Sequence, residues 1–283
     1  MVPMNSEMEA TLRAVLGTEL AQIITETQAI AGYELPLEAR SGFLQFHRFI
    51  TDPVPSYIAA WRASPTKEHW YHRHVNGVLG DVQNAVRRAF YHRDRMAEIE
   101  EALLRAIEKV DYRSKLGNST CALGHTPKWD FEYQAFVLAT RSALDYLRRA
   151  LSGYFQDKSH YYNSWPKALR AAKPKTLADA LLAVYEAKKE GLVYLKQNEA
   201  GVSLRDQIAH HGHVSPATIN LTANGLFLVG GGEDLAFSRE IPIRSLQTII
   251  KGRADLLVDT VNAFLAAFIG EVAKLDRIAA PDP

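Results

Sequence analysis

The chain predicts a mainly α-helical fold, a helical bundle carrying a small antiparallel insertion of a β-hairpin or three strands, on three observations. Apolar residues recur at three- and four-residue intervals through long stretches, the period of a helix with one buried face. Those stretches are punctuated by proline pairs and by runs of turn formers. One short segment, Thr218 to Val229, changes to alternation around Asn224-Gly225, a strong hairpin signal.

Taken in order, residues from about 6 to 31 place Leu12, Val15, Leu16, Leu20, Ile23, Ile24 and Ile30 on a helical period. A second helix is expected from about Pro36 to Ile50. It ends before Pro53 and Pro55, because proline lacks an amide hydrogen and restricts its predecessor. From Thr66 to Lys115 the sequence is dense in helix formers, with Glu98, Glu100, Glu101, Arg105, Glu108 and Lys109 opposite Ile99, Leu103, Leu104, Ile107 and Val110. A break near His92-Arg93-Asp94 is expected to divide it into two helices. The turn formers from Gly117 to Pro127 lack periodicity and read as a domain boundary. The expected organisation is therefore an N-terminal helical region, 1–115, of unassigned role, a linker, 116–128, and a second helical domain, 129–283, with its β insertion at about 217–243.

That second domain opens with a long helix from about Trp129 to Phe155, its apolar stripe running through Phe131, Ala135, Leu138, Ser142, Leu144, Leu147 and Leu151. Another helix, about Thr176 to Asn198, follows the Pro174 breaker. After the hairpin strands, Thr218 to Thr222 and Leu226 to Val229, a third strand is expected between Ala236 and Ile243. The intervening Gly230-Gly231-Gly232 reads as a turn, since no helix follows it and no lysine sits in a P-loop position. A final helix, about Ile243 to Ile278, closes the chain.

Composition narrows the function classes. Among 283 residues, 47% are hydrophobic and 23% charged, ordinary for a globular protein with a sizeable core. A formal net charge of +1 gives no global field to attract nucleic acid, so any such binding rests on local patches. The single cysteine, Cys121, excludes an internal disulfide framework and fits a reducing compartment. Glu7, Glu9 and Arg13 interrupt the first apolar residues, unlike a signal peptide, and Val261 to Ile269 falls short of a membrane span. A cytoplasmic, membrane-free protein is the expectation.

The stretch Ser203-Leu204-Arg205-Asp206-Gln207-Ile208-Ala209-His210-His211-Gly212 carries the chemistry. Ser203 reads as a helix N-cap with Asp206 in the capping-box position, and Gly212 as the stop. Residues four apart on a helix share a face, which places Asp206 one turn before His210, able to orient its ring. Arg205 lies five residues from His210, about 140° away around an ideal helix, so the two converge most readily across a dimer. An arginine fork suits a phosphate, and histidine, with an unperturbed pKa of about 6.5, moves protons at neutral pH. With an RNA 2′-hydroxyl as nucleophile, these groups make a metal-free cleavage site. Arginine–histidine pairs at similar spacing recur at Arg40 to His47, Arg62 to His69 and Arg87 to His92. Only Arg205 has an acid beside it one turn before the histidine and a serine cap upstream.

Arg205-Asp206, Ala209-His210, two long helices before and another after resemble the HEPN superfamily, whose hallmark is an arginine, a following polar residue and a histidine after four to six positions. The resemblance covers about Trp129 to the C-terminus. It implies a helical bundle that dimerises with its motifs facing, and a metal-independent endoribonuclease of toxin–antitoxin, antiviral defence or stress systems. Arg205, Asp206 and His210 would be catalytic, with His211, Asp145 and Arg141 as further candidates. RNA, a second copy of the chain and an antitoxin or regulatory protein are the implied partners. Other members of the superfamily only bind or dimerise, which supplies the alternative function. The hairpin and the N-terminal region depart from the minimal bundle.

Two other constellations compete. His210, His211 and His213 suggest a metal, but no acid or cysteine follows at a zinc spacing and Gly212 breaks the helix, so neither metal nor cofactor is expected. Within Glu68 to His74, His69 and His72 share a helix face, an arrangement that more often packs or hydrogen-bonds. Arg87, Arg88, Arg93 and Arg95 lie near Phe90 and Tyr91, a mixture suited to single-stranded RNA or to a solvated helix face.

Overall fold

A computed structural model describes residues 14, 17–124, 126–158, 161–195, 207–208, 218–223, 225–229 and 246–279. The chain divides into two compact units, Met1–Leu37 and Glu38–Pro283. In the first, α1 (Thr18–Ala31) starts after Gly17, whose φ of 81° lies in the left-handed region that glycine tolerates. Ile23 and Ile30, expected on its apolar face, are exposed.

The second unit takes up α2 (Leu37–Thr51) from Glu38 onward. As expected, the helix stops ahead of Pro53 and Pro55. Its approach to the last helix is fixed by Gly42, where a Cβ would fall 2.2 Å from Asn262 Oδ1. Asn262 Nδ2 also donates to the Glu38 carbonyl at 3.3 Å. Next, α3 (Ser56–Arg62) is tied at its start to Asp276, which accepts from the Ser56 amide at 2.9 Å and the Ser56 hydroxyl at 2.5 Å.

A long rod follows without interruption: α4 (Glu68–Tyr71), a π-helical stretch (His72–Val82) and α5 (Gln83–Glu108). The break expected at His92-Arg93-Asp94 does not occur. No glycine or proline stands there, and the side chains are occupied in ways a helix accommodates: His92 Nδ1 lies 2.6 Å from Glu132, and Arg93 sits 4.2 Å from the Phe90 ring centre. The irregular backbone lies earlier, over the wider π-helical turns.

A short helix, α6 (Tyr112–Leu116), is capped by Asp111, which accepts from the Ser114 amide and hydroxyl. The region expected to be a plain linker then contains a strand, β1 (Cys121–Leu123). It pairs antiparallel with β2 (Thr218–Thr222), Cys121 opposite Leu221, and β2 pairs with β3 (Gly225–Val229), in the order β1-β2-β3. The third strand of this sheet thus comes from residues 121–123. The expected strand at 236–243 lies outside the described residues.

The long helix α7 (Pro127–Ser152) begins with proline at its first turn, where the missing amide costs nothing, and has Asp130 near its positive end. Its buried face runs through Trp129, Tyr133, Phe136, Ala143, Leu147 and Leu151, whereas Phe131 is exposed, so the stripe is rotated from the expected one. A 3₁₀ turn (Tyr162–Ser164) leads into α8 (Trp165–Ala171), and α9 (Lys175–Lys188) starts after Pro174. α9 ends ten residues short of the expected Asn198, giving way to a 3₁₀ turn (Val193–Leu195). Gly191 in between meets Leu256, a Cβ there falling 2.7 Å from its Cδ2.

The chain closes with α10 (Leu246–Ala279). By length and apolarity its span Thr248–Asp276 could cross a membrane. One face of it buries Leu257, Val261, Phe264, Leu265, Phe268 and Val272 against α9, α5 and α7. α5 packs along α7 and α10, so the contacts within Glu38–Pro283 extend on both sides of residues 116–128. The described residues form a mainly α-helical bundle with a small antiparallel sheet.

Candidate functional site

Arg141, Asp145, Arg148 and Ser152 follow one another along α7 at intervals of four, three and four, which puts them on one face of the helix. On a helix otherwise dominated by buried apolar side chains, this is a polar stripe. Arg141 Nε donates to Asp145 Oδ2 at 3.0 Å, and its Nη1 donates to Asn163 Oδ1 at 2.9 Å. The other oxygen of Asp145 accepts the Tyr162 amide at 2.7 Å. Arg148, fully buried, donates from Nη2 to Asp157 at 3.3 Å. The segment after α7 is thereby pinned back over the stripe, at Asp157, Tyr162 and Asn163.

Next to the stripe, Arg149 pairs with Asp81 of the π-helical stretch and lies 5.1 Å from the Tyr146 ring centre. Burial lowers the pKa of Arg148, with Asp157 and Asp145 opposing and Arg73 adding to the shift. Arg73 is lowered by burial and by Arg149, and Asp157 offsets part of that. A guanidinium remains charged through such shifts. Arg141, Arg148 and Arg149 pair with Asp145, Asp157 and Asp81 in turn, and Arg73 lies within electrostatic reach of Arg149 and Asp157. The stripe is held by its own ion pairs.

At the end of the stripe lies a cavity of about 230 Å³ lined by Ser152, Phe155, Asp157, Trp165, Ala168 and Leu169, among others. Ser152 Oγ and Trp165 Nε1 are buried polar atoms without a hydrogen-bond partner among the described residues. Trp165 stacks on Phe264 at 4.8 Å between ring centres, and Tyr162 packs against Tyr185 at 5.0 Å. Burial raises the phenol pKa of both tyrosines, so they remain neutral hydroxyls. Sequence reasoning named Arg141 and Asp145 but missed Arg148, Ser152, Asp157 and Trp165. The helical spacing of the stripe was a usable signal, whereas nothing local marks Asp157 or Trp165.

Of the histidines in the Glu68 to His74 segment, only His74 is buried. Its Nδ1 donates to the Ala150 carbonyl at 2.8 Å, which leaves Nε2 to accept from the Tyr57 hydroxyl at 3.1 Å. Phe46, Trp61 and Phe268 surround the ring at 4.9 to 5.9 Å. Burial lowers its pKa to about 4, against the opposing pull of the Ala150 carbonyl, so the ring is neutral. Burial also raises the Tyr57 pKa. His69 packs against Trp70 with tilted rings 4.6 Å apart, and His72 contacts Glu68 and Asn76, so the two do not converge on a shared ligand.

Arg205, Asp206, His210 and His211 lie outside the described residues, as does His213. On α5, Arg87 donates to Asn84 at 2.5 Å, Arg93 lies 2.6 Å from Asp94, and Arg95 pairs with Glu98, while Arg88 is exposed. Among the described residues no three histidine, cysteine, aspartate or glutamate side chains converge as a metal site. No protein-family model matches the chain, and no curated protein or solved structure is significantly similar to it.

Proposed function

We propose that the protein is a metal-independent endoribonuclease of the HEPN type, working as a homodimer in a toxin, phage-defence or stress setting. The observation that carries this reading is the sequence Ser203 to Gly212, which has a capping-box pattern, with Asp206 four residues before His210 and Arg205 beside it. A mainly helical bundle, in which the long helices α7 and α9 precede that sequence and α10 follows it, supports the reading. In it, Arg205 binds the scissile phosphate and offsets its developing charge, His210 moves the proton of the 2′-hydroxyl, and Asp206 orients the histidine or the arginine. The products carry a 2′,3′-cyclic phosphate and a 5′-hydroxyl. Incubation with total RNA in EDTA tests it: cleavage by the wild type and its loss in His210→Ala are expected, and intact RNA or equal cleavage by the variant overturns the reading.

A specific observation favours a second reading, a non-catalytic module that binds nucleotide or RNA or closes a dimer. Arg141 and Asp145, the further site candidates, are engaged by Asn163 and the Tyr162 amide. Arg87, Arg93 and Arg95 likewise contact their own neighbours on α5. On this reading Arg205→Ala changes ligand affinity or dimerisation while RNA stays intact.

A further inference from the structure

Among the described histidines, only His92 has one ring nitrogen held by a carboxylate and the other left open. Its Nδ1 lies 2.6 Å from Glu132 Oε2, whereas both nitrogens of His72 and of His74 are engaged, and His47 and His69 are exposed without an acid partner. A carboxylate only accepts, so Nδ1 carries the hydrogen and Nε2 keeps the lone pair of the neutral ring. Nε2 hydrogen-bonds no described residue and is not a buried atom, in a side chain 23% exposed. A carboxylate behind an imidazole fixes the ring and offsets the positive charge it gains when the far nitrogen bonds to an electrophile.

The surroundings are cationic. Arg88 and Arg95 stand one turn before and one turn after His92 on its face of α5, and both are exposed. α5 and α7 run antiparallel, since Asp81, just ahead of α5, pairs with Arg149 late in α7, and His92 pairs with Glu132 early in it. Lys128, exposed and one turn before Glu132, therefore lies toward Arg95. The acids on this part of α5 are each paired, Asp94 with Arg93 and Glu98 with Arg95, while Arg88 and Lys128 make no ion pair among the described residues. An open nucleophilic nitrogen between guanidinium and ammonium groups matches a phosphoryl group, which is small, anionic and accepts at three oxygens.

We propose that His92 Nε2 is a phosphoryl acceptor, taking its phosphoryl group from a phosphoramidate, a donor that carries the group on nitrogen. The Nε2 lone pair attacks phosphorus as the donor's P–N bond breaks, and the donor nitrogen, already protonated, leaves as the amine with the bonding pair. Nδ1 keeps its hydrogen, and Glu132 offsets the positive charge of the phosphorylated ring. Arg88 and Lys128 bind the phosphoryl oxygens.

Incubation of the full-length protein with potassium phosphoramidate at neutral pH, followed by peptide mass spectrometry under alkaline conditions that preserve phosphohistidine, tests this. His92 is expected to be labelled at least about tenfold faster than the exposed His47 and His69, and nuclear magnetic resonance to place the phosphorus on Nε2. This comparison is made within the wild-type chain, so it holds even where a variant fails to fold. Glu132→Gln keeps an acceptor for Nδ1 but no charge, and is expected to slow labelling of His92 about tenfold. Arg88→Ala, on an exposed side chain, is expected to slow it several-fold. The proposal is overturned if His92 is labelled no faster than His47 and His69, if the phosphorus sits on Nδ1, or if folded Glu132→Gln and Arg88→Ala variants are both labelled at the wild-type rate.

Discussion

Replacing His74 by phenylalanine keeps a flat ring among Phe46, Trp61 and Phe268 while removing the only titrating group at that position. The native histidine is neutral, with a pKa of about 4 against 6.5 for an exposed ring. Between those values the unfolded chain binds a proton that the folded chain refuses, so stability rises with pH across that window and is lost as pH falls through it. At 1.36 kcal/mol per tenfold change in proton affinity, the loss on going from pH 6.5 or above to pH 4 is about 3 kcal/mol, a large fraction of the usual stability of a domain.

The variant has a different profile. At neutral pH it leaves the half-buried Tyr57 hydroxyl without its acceptor, a cost of about 1–3 kcal/mol. The Ala150 carbonyl is less affected, because it also accepts the Gly153 amide at 3.1 Å. The variant therefore starts less stable and loses less on acidification. Urea unfolding at pH steps from 7.5 to 4 measures both. Subtracting one curve from the other removes the other histidines and the carboxylates, and the difference is expected to shift by about 3 kcal/mol in favour of the variant, enough to cancel or reverse it by pH 4. A difference that stays constant with pH refutes a neutral, buried His74.

The remaining predictions use the same bundle. Asp145→Ala removes the partner of Arg141 and the acceptor for the Tyr162 amide, and is expected to cost about 2–4 kcal/mol and to speed hydrogen exchange at Tyr162. Unchanged exchange there shows that Asp145 does not pin the segment. Gly77→Ala places a methyl group 2.9 Å from Ala150 Cβ and is expected to destabilise by about 1–3 kcal/mol. Gly270→Ala on α10 meets nothing within 4 Å and is expected to stabilise by up to about 1 kcal/mol through helix propensity. Melting temperatures that move together in the two glycine variants contradict that distinction. For the cleavage reading, Arg205→Ala is expected to lower the RNA cleavage rate as severely as His210→Ala, with EDTA leaving the wild type unaffected; metal-dependent cleavage defeats that assignment.

Local chemistry decided much of the secondary structure, and so the sequence alone was sufficient for it. Proline at 53 and 55 ends α2, Pro127 opens α7, Pro174 precedes α9, and the alternation around residue 225 makes the hairpin, each through backbone restrictions acting within a few residues. The candidate motif from Ser203 to Gly212 also rests on sequence, since its spacing and capping pattern are local properties. What only the tertiary structure decided depends on neighbours distant in the chain. A three-residue strand has no periodicity of its own, so Cys121–Leu123 becomes β1 only because β2 offers it a register. The rod runs through residues 92–94 because Glu132 of α7 takes up His92. Three histidines between 69 and 74 are equivalent in composition, yet only His74 meets a carbonyl and a phenol able to satisfy it in the interior. The cavity at Ser152 exists because Asp145 and Arg148 draw a later segment back across α7, a choice made by long-range pairing.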